Sequence, residues 1–322
     1  MNSLFQPNKW LSNPNLQTIW PNYFRPNVKL DLQTERVFLQ DDDFLDICHM
    51  KTQNNATPAK GVVTIFHGLG GSINSHYAKS LMQAVASEGL QPIFVHFRGA
   101  SGEPNKQPFT YHGGKADDIA FVIEKIFQEN STLPQFALGV SIGGSALLNY
   151  LGSYKIDNPL SGAIAISVPF DLYDSALQLN KGISKVYQNH LLNCQKYSLR
   201  NKFQSQHCSI SLSKALDAKS FLEFDNEATA PLNSFKSAMD YYSKCSSKQY
   251  LRDIQTPTLL VHAKDDPFMS NKSIPSRQEL GQSVELELHE RGGHLGFIEG
   301  HWPWKPSYYL ERRVPEFFLS LI

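Results

Sequence analysis

Short, nearly uninterrupted apolar runs recur along this chain, and between them lie stretches whose apolar positions repeat with helical spacing. Residues 61–66, 92–97, 135–140 and 162–168 are runs of the first kind and predict buried strands. Residues 75–87, 115–128 and 143–151 predict the helices between them. In 115–128 the apolar positions Ile119, Val122, Ile123 and Ile126 fall on one helical face. Upstream, 35–40 and 44–51 read as two antiparallel strands joined by the acidic turn Asp41-Asp42-Asp43. Downstream, 257–262 and 284–289 predict strands, 271–280 a partly helical stretch and 308–321 a final helix. Strands that alternate with helices predict an α/β fold with a mostly parallel, doubly wound sheet.

Two segments depart from this rhythm. Residues 1–34 are rich in Asn, Pro and aromatics and lack strong periodicity, so they read as an irregular N-terminal arm packed on the domain. Residues 169–251 interrupt the alternation for longer than a loop in a compact domain allows. They carry helical patterns at 172–178, 183–199, 212–218 and 233–242. An insertion here predicts a helical cap over the strand ends, where ligands bind in open α/β sheets. A separate small domain with no role in the site is the alternative. The expected core is then 35–168 together with 252–322.

Bulk properties narrow the function classes. The 322 residues suit one large α/β domain with an insertion, and 30 basic residues balance 30 acidic ones. Nothing suggests a nucleic-acid surface. Cys48, Cys194, Cys208 and Cys245 are widely spaced, which gives neither a zinc knuckle nor a redox pair. The first ten residues lack the basic start and apolar stretch of a signal peptide. No apolar run approaches the roughly 18 residues that span a membrane. A cytoplasmic protein with free thiols is expected.

The chemistry-bearing residues sit at strand ends. Gly139-Val140-Ser141-Ile142-Gly143 joins a predicted strand to a predicted helix, a corner that holds a serine hydroxyl exposed above the sheet. Ser141 is the candidate nucleophile. His67-Gly68-Leu69-Gly70-Gly71 follows the 61–66 strand. Its Leu69 amide, with the Ile142 amide next to the nucleophile, is the candidate oxyanion hole. Ala263-Lys264-Asp265-Asp266-Pro267 follows a late strand. Asp266, three residues beyond Ala263, is the expected acid, with Asp265 as the alternative. His294, in the glycine-framed loop 292–297, is the candidate base. The order Ser141, Asp266, His294 is that of an α/β-hydrolase. No H-E-x-x-H set appears, so neither a metal nor an organic cofactor is expected. Arg98, in 96–99, either fixes a polar part of a substrate or braces loops against carboxylates; bracing is the expectation. Tyr187, Leu191, Phe203, Phe221 and Phe224 are candidates to line an acyl pocket.

Several of these motifs together resemble the YheT-like branch of the α/β-hydrolases, along nearly the whole chain. They are Asn-Pro-Asn-Leu-Gln-Thr-Ile-Trp-Pro at 13–21, His-Gly-Leu-Gly-Gly at 67–71, Ser-His-Tyr at 75–77 and His-Phe-Arg-Gly at 96–99. Ser-Gly-Glu-Pro-Asn at 101–105, Gly-Val-Ser-Ile-Gly-Gly at 139–144, His-Ala-Lys-Asp-Asp-Pro-Phe at 262–268 and Gly-Gly-His-Leu-Gly-Phe at 292–297 complete the set. The resemblance implies an α/β-hydrolase fold with a helical cap insertion. It also implies a Ser-Asp-His hydrolase of carboxylic esters, short-chain or monoacylglycerol-like, whose partner is a small-molecule ester or lipid. Ser141 matches the family nucleophile, His294 its base and the Asp265-Asp266 pair its acid. Eukaryotic members are membrane-associated; no such segment is visible here, so membrane attachment is not carried over. The same triad also serves acyl transfer and thioester hydrolysis. A catalytically silent binding module is the reading outside the enzymes.

Overall fold

The computed structural model describes residues 5–51 and 58–322; the first four residues of the arm and residues 52–57 lie outside them. An N-terminal helix, α1 (Pro14–Phe24), precedes a hairpin of β1 (Leu32–Phe38) and β2 (Phe44–Met50). Leu32 faces Met50 and Phe38 faces Phe44 across this hairpin. Then follow β3 (Val62–Phe66), α2 (Ala78–Ser87), β4 (Gln91–His96), α3 (Ala116–Glu129), β5 (Gln135–Val140), α4 (Ile142–Tyr154) and β6 (Leu160–Ile166). A helical stretch comes next: α5 (Leu172–Leu179), α6 (Ser184–Lys202), α7 (Leu212–Asp217), α8 (Phe221–Phe224), a π-helical turn at Asp225–Thr229, α9 (Ala230–Leu232) and α10 (Ala238–Cys245). The chain closes with β7 (Thr258–Ala263), β8 (Val284–His289), the hairpin β9 (Ile298–Trp302) and β10 (Lys305–Tyr308), and α11 (Tyr309–Leu319).

The main sheet has the order β1-β2-β4-β3-β5-β6-β7-β8. β2 runs antiparallel to β4, and every pair from β4 to β8 is parallel. The central strands are buried on both faces, which is why their sequences are continuous apolar runs rather than alternations. Alternate residues supply two cores. Val62 and Phe66 pack with Ile119, Val122, Ile126, Leu147 and Leu151 on one face. Val63 and Ile65 pack with Leu81, Val85, Val314 and Phe318 on the other. α4 is buried along nearly its whole length, as its small and apolar sequence requires. Helices α5 to α10 have a third core of their own, built on Leu172, Leu192, Phe221, Phe224, Tyr241 and Tyr242, which meets the sheet domain at Ile142.

Three local readings change. Residues 14–24, read as irregular, form α1. The Asn13 side chain caps it by accepting from the Asn15 and Leu16 amides, and Pro14 opens its first turn. Residues 271–280 hold a single 3₁₀ turn, Arg277–Glu279, with a Ser276–Glu279 capping box. The helix expected over 233–242 starts at Ala238, where the Ser237 hydroxyl caps it. The β9–β10 hairpin and the helical turns between Phe221 and Leu232 were not anticipated.

Candidate active site

Ser141 is the single residue between β5 and α4. Its backbone is held at φ 52°, ψ −119°, a region that non-glycine residues rarely enter. The Ser141 amide donates to Ile166 O at 2.8 Å, which anchors the corner to β6. A Cβ on Gly143 would lie 2.4 Å from His67 O, so only glycine lets α4 pack directly on the end of β3. That packing brings the loop after β3 alongside the serine: a Cβ on Gly68 would sit 3.2 Å from Ser141 Cβ.

This loop is rigidly held. His67 is fully buried, and burial pushes its imidazole pKa down to about 3, so the ring is neutral. Its Nε2 accepts the Phe97 amide at 3.1 Å, which leaves Nδ1–H to donate to Gly68 O at 2.7 Å. The Gly68 amide donates to the Tyr77 hydroxyl at 3.0 Å and the Gly70 amide to the Tyr111 hydroxyl at 2.7 Å. The Gly71 amide returns to Gly68 O at 3.0 Å. The Leu69 amide, between these tethered neighbours, has no hydrogen-bond partner among the described residues. Neither has the Ile142 amide in the first turn of α4. An unpaired N–H at a helix N-terminus favours negative charge beside it.

The two aspartates after β7 diverge. Asp266 Oδ2 lies 2.8 Å from His294 Nδ1, and its Oδ1 accepts the Phe268 amide at 2.9 Å. Asp265 Oδ1 accepts the Gly293 amide at 2.9 Å, while burial raises its carboxyl above the ordinary range. Asp265 therefore holds the histidine loop and Asp266 holds the ring. In the neutral imidazole, a bond from Nδ1–H to Asp266 leaves Nε2 as an acceptor. Phe268 stacks on the imidazole, centroids 3.9 Å apart.

Ser141, His294, Leu69 and Ile142 line one cavity of about 640 Å³. Its walls are largely apolar and come from α1, α5, α6 and the 221–242 region. Tyr187, Leu191, Phe221 and Phe224 are among them. Phe203, at the end of α6, is not; it packs into the helical core instead. Missed from sequence were Ile19, Asn22 and Tyr23 of α1 and His76, all of which face the cavity. Asp225 also lines it, and burial raises its carboxyl to about 6; it accepts hydrogen bonds from the Thr229 and Tyr242 hydroxyls. Arg98 lies outside the cavity. It forms a bidentate pair with Asp118 and also reaches Asp41 and Asp43, bracing the loops around β2 and β4. No helix among the described residues is long and apolar enough to cross a membrane.

A family model described as alpha/beta hydrolase fold matches residues 61–301. YheT of Escherichia coli (strain K12), which carries an esterase designation, is 37% identical over 320 residues, spanning 99% of this chain and 94% of that protein. The monoacylglycerol lipase of Saccharomyces cerevisiae is 27% identical over 254 residues, 76% of this chain and 56% of that protein. The solved structure of the Pyrococcus furiosus esterase Pf2001 superposes with a TM-score of 0.58 at 14% identity, covering 92% of this chain and 96% of that one, and so shares the fold. The family model spans most of this chain and YheT matches it over nearly its full length, so the chain belongs to the α/β-hydrolase fold family, in its YheT-like branch.

Proposed function

We propose that this chain hydrolyses carboxylic esters through Ser141, His294 and Asp266, with the Leu69 and Ile142 amides as the oxyanion hole. One observation carries the reading. Two unpaired amides, a serine on a strained corner and a histidine oriented by a buried carboxylate all belong to one apolar cavity. In the first step Ser141 Oγ attacks the ester carbonyl and passes its proton to His294 Nε2. The tetrahedral oxyanion accepts from the two amides, and Asp266 stabilises the imidazolium. The C–O bond then breaks, and the alcohol leaves with the proton from His294. In the second step His294 deprotonates a water that attacks the acyl-serine; the acid departs and Ser141 regains its proton.

Residues 169–251 act as the cap in this proposal: their helices close the cavity over Ser141 and supply Tyr187, Leu191, Phe221 and Phe224 to its wall. An apolar cavity of this size suits an acyl chain, and monoacylglycerol-like or short-chain esters are the proposed substrates, in keeping with the names of the relatives. The test is covalent labelling by a fluorophosphonate probe together with turnover of p-nitrophenyl esters of graded chain length. Wild type should be labelled and active, and Ser141→Ala neither. Equal labelling of the two, or labelling of neither, overturns the proposal.

A further inference from the structure

Helix α1 is too short to be stable by itself in water. It is held by the loop that carries His294. Gln17 is fully buried; its Oε1 accepts the Ile298 amide at 2.7 Å and its Nε2 donates to Ile298 O at 3.3 Å. The Thr18 hydroxyl accepts the His294 amide at 2.9 Å and donates to Pro14 O at 2.7 Å. The glycines around His294 are fitted to this helix: a Cβ on Gly293 would lie 2.6 Å from Pro14 O, and one on Gly296 would lie 2.0 Å from Gln17 O.

The loop needs such support. Leu295 at φ 65° and Phe297 at φ 42° both occupy the left-handed region without being glycine. Each such residue costs about 1–3 kcal/mol and persists only where its surroundings over-determine it. Asp266 fixes the His294 ring and Asp265 the amide before it, but neither contacts the His294 backbone itself. Thr18 does. We infer that Thr18, supported by Gln17, is a positioning residue of the reaction: by pinning the His294 backbone to α1 it sets where Nε2 stands relative to Ser141. The N-terminal helix is then part of the catalytic apparatus as well as a wall of the cavity. The inference rests on His294 being the base.

The experiment compares Thr18→Val, which keeps the shape and removes the hydroxyl, with Thr18→Ser, which restores it. Steady-state kinetics on p-nitrophenyl butyrate are measured across pH, with thermal unfolding alongside. Misplacement of a catalytic group far smaller than a side chain costs up to about 100-fold, so Thr18→Val should lose about 10–100-fold in kcat with KM nearly unchanged. Its acidic limb in the kcat–pH profile should move, and Thr18→Ser should stay close to wild type. A wild-type kcat in folded Thr18→Val, or equal losses in the Val and Ser variants, overturns the inference. So does a loss that only tracks the fraction of unfolded protein. Should Thr18→Val fail to fold, Thr18→Ala carries the same comparison with the same readings. His294→Ala separates the two claims. If that variant stays active, the proposed function itself falls. If it is inactive while Thr18→Val behaves as wild type, only the role of Thr18 falls.

Discussion

Replacing Asp266 by Asn should expose the electrostatic logic of the site. The Asp266 side chain is 1% exposed and makes two bonds, one from the Phe268 amide at 2.9 Å and one from His294 Nδ1–H at 2.8 Å. An asparagine offers one acceptor to these two donors. If its oxygen keeps the Phe268 amide, its NH₂ faces Nδ1–H; if it turns, the NH₂ faces the Phe268 amide. A backbone amide cannot move its proton, but an imidazole can. The low-energy answer is therefore the Nε2–H tautomer of His294, in which the proposed base can no longer take the Ser141 proton. The corresponding amide change in a serine-protease triad costs about 10⁴ in kcat, or about 5 kcal/mol of transition-state stabilisation. Asp265→Asn is the control. Its oxygen can still accept the Gly293 amide, and removing a carboxylate that burial already disfavours should cost less than about tenfold. The assay is kcat on p-nitrophenyl butyrate, with circular dichroism to establish that both variants fold. Comparable losses in the two variants, or an Asp266→Asn enzyme within tenfold of wild type, would refute the reasoning.

Three further outcomes are expected. Gly143→Ala drives a methyl to 2.4 Å from His67 O and 2.8 Å from Phe66 O, both backbone, so urea titration should show a loss of at least about 1–3 kcal/mol, with fluorophosphonate labelling abolished. Arg98→Met removes the bidentate partner of the buried Asp118 carboxylate and, among the described residues, the one cation paired with Asp41 and Asp43, and should cost about 3–5 kcal/mol, while kcat per folded molecule stays unchanged; a selective rise in KM would instead make Arg98 a substrate contact. Asp225 titrates at about 6 in the fold against an ordinary 3.8, so its contribution is most favourable below 3.8 and declines as pH rises through about 6. Asp225→Asn should therefore stabilise the protein by up to about 3 kcal/mol at neutral pH and give no gain near pH 4; equal melting shifts at both pH values would exclude this carboxyl as the cause.

The elements that were legible are those whose signal is local. Continuous apolar runs mark β3 to β7 because a parallel strand covered on both faces needs apolar side chains on both. The face of Ile119, Val122, Ile123 and Ile126 is buried as its spacing predicts. α1 escaped because Pro21 and scattered aromatics blur its periodicity, although Asn13 and Pro14 carry an ordinary helix-start signal. Prolines and a glycine in 298–308 hide the β9–β10 hairpin in the same way. Phe203 was misjudged because hydrophobicity says that a side chain is buried, not what it is buried against.

The sequence by itself determined the alternation of β3 to β6 with α2 to α4, the sharp corner at Ser141 and the glycine-framed loop of His294, since each depends on neighbours a few residues apart. Only the tertiary structure decided the rest. It sends Asp266 to the His294 ring and Asp265 to the Gly293 amide. Among the described residues it leaves the Leu69 and Ile142 amides, in the cavity of Ser141, without a partner, and it docks Gln17 and Thr18 on a loop near the other end of the chain. Adjacent carboxylates and successive glycine-loop amides are chemically equivalent in sequence. They become different only when the sheet brings distant segments together and each buried polar group must find, or lack, a partner.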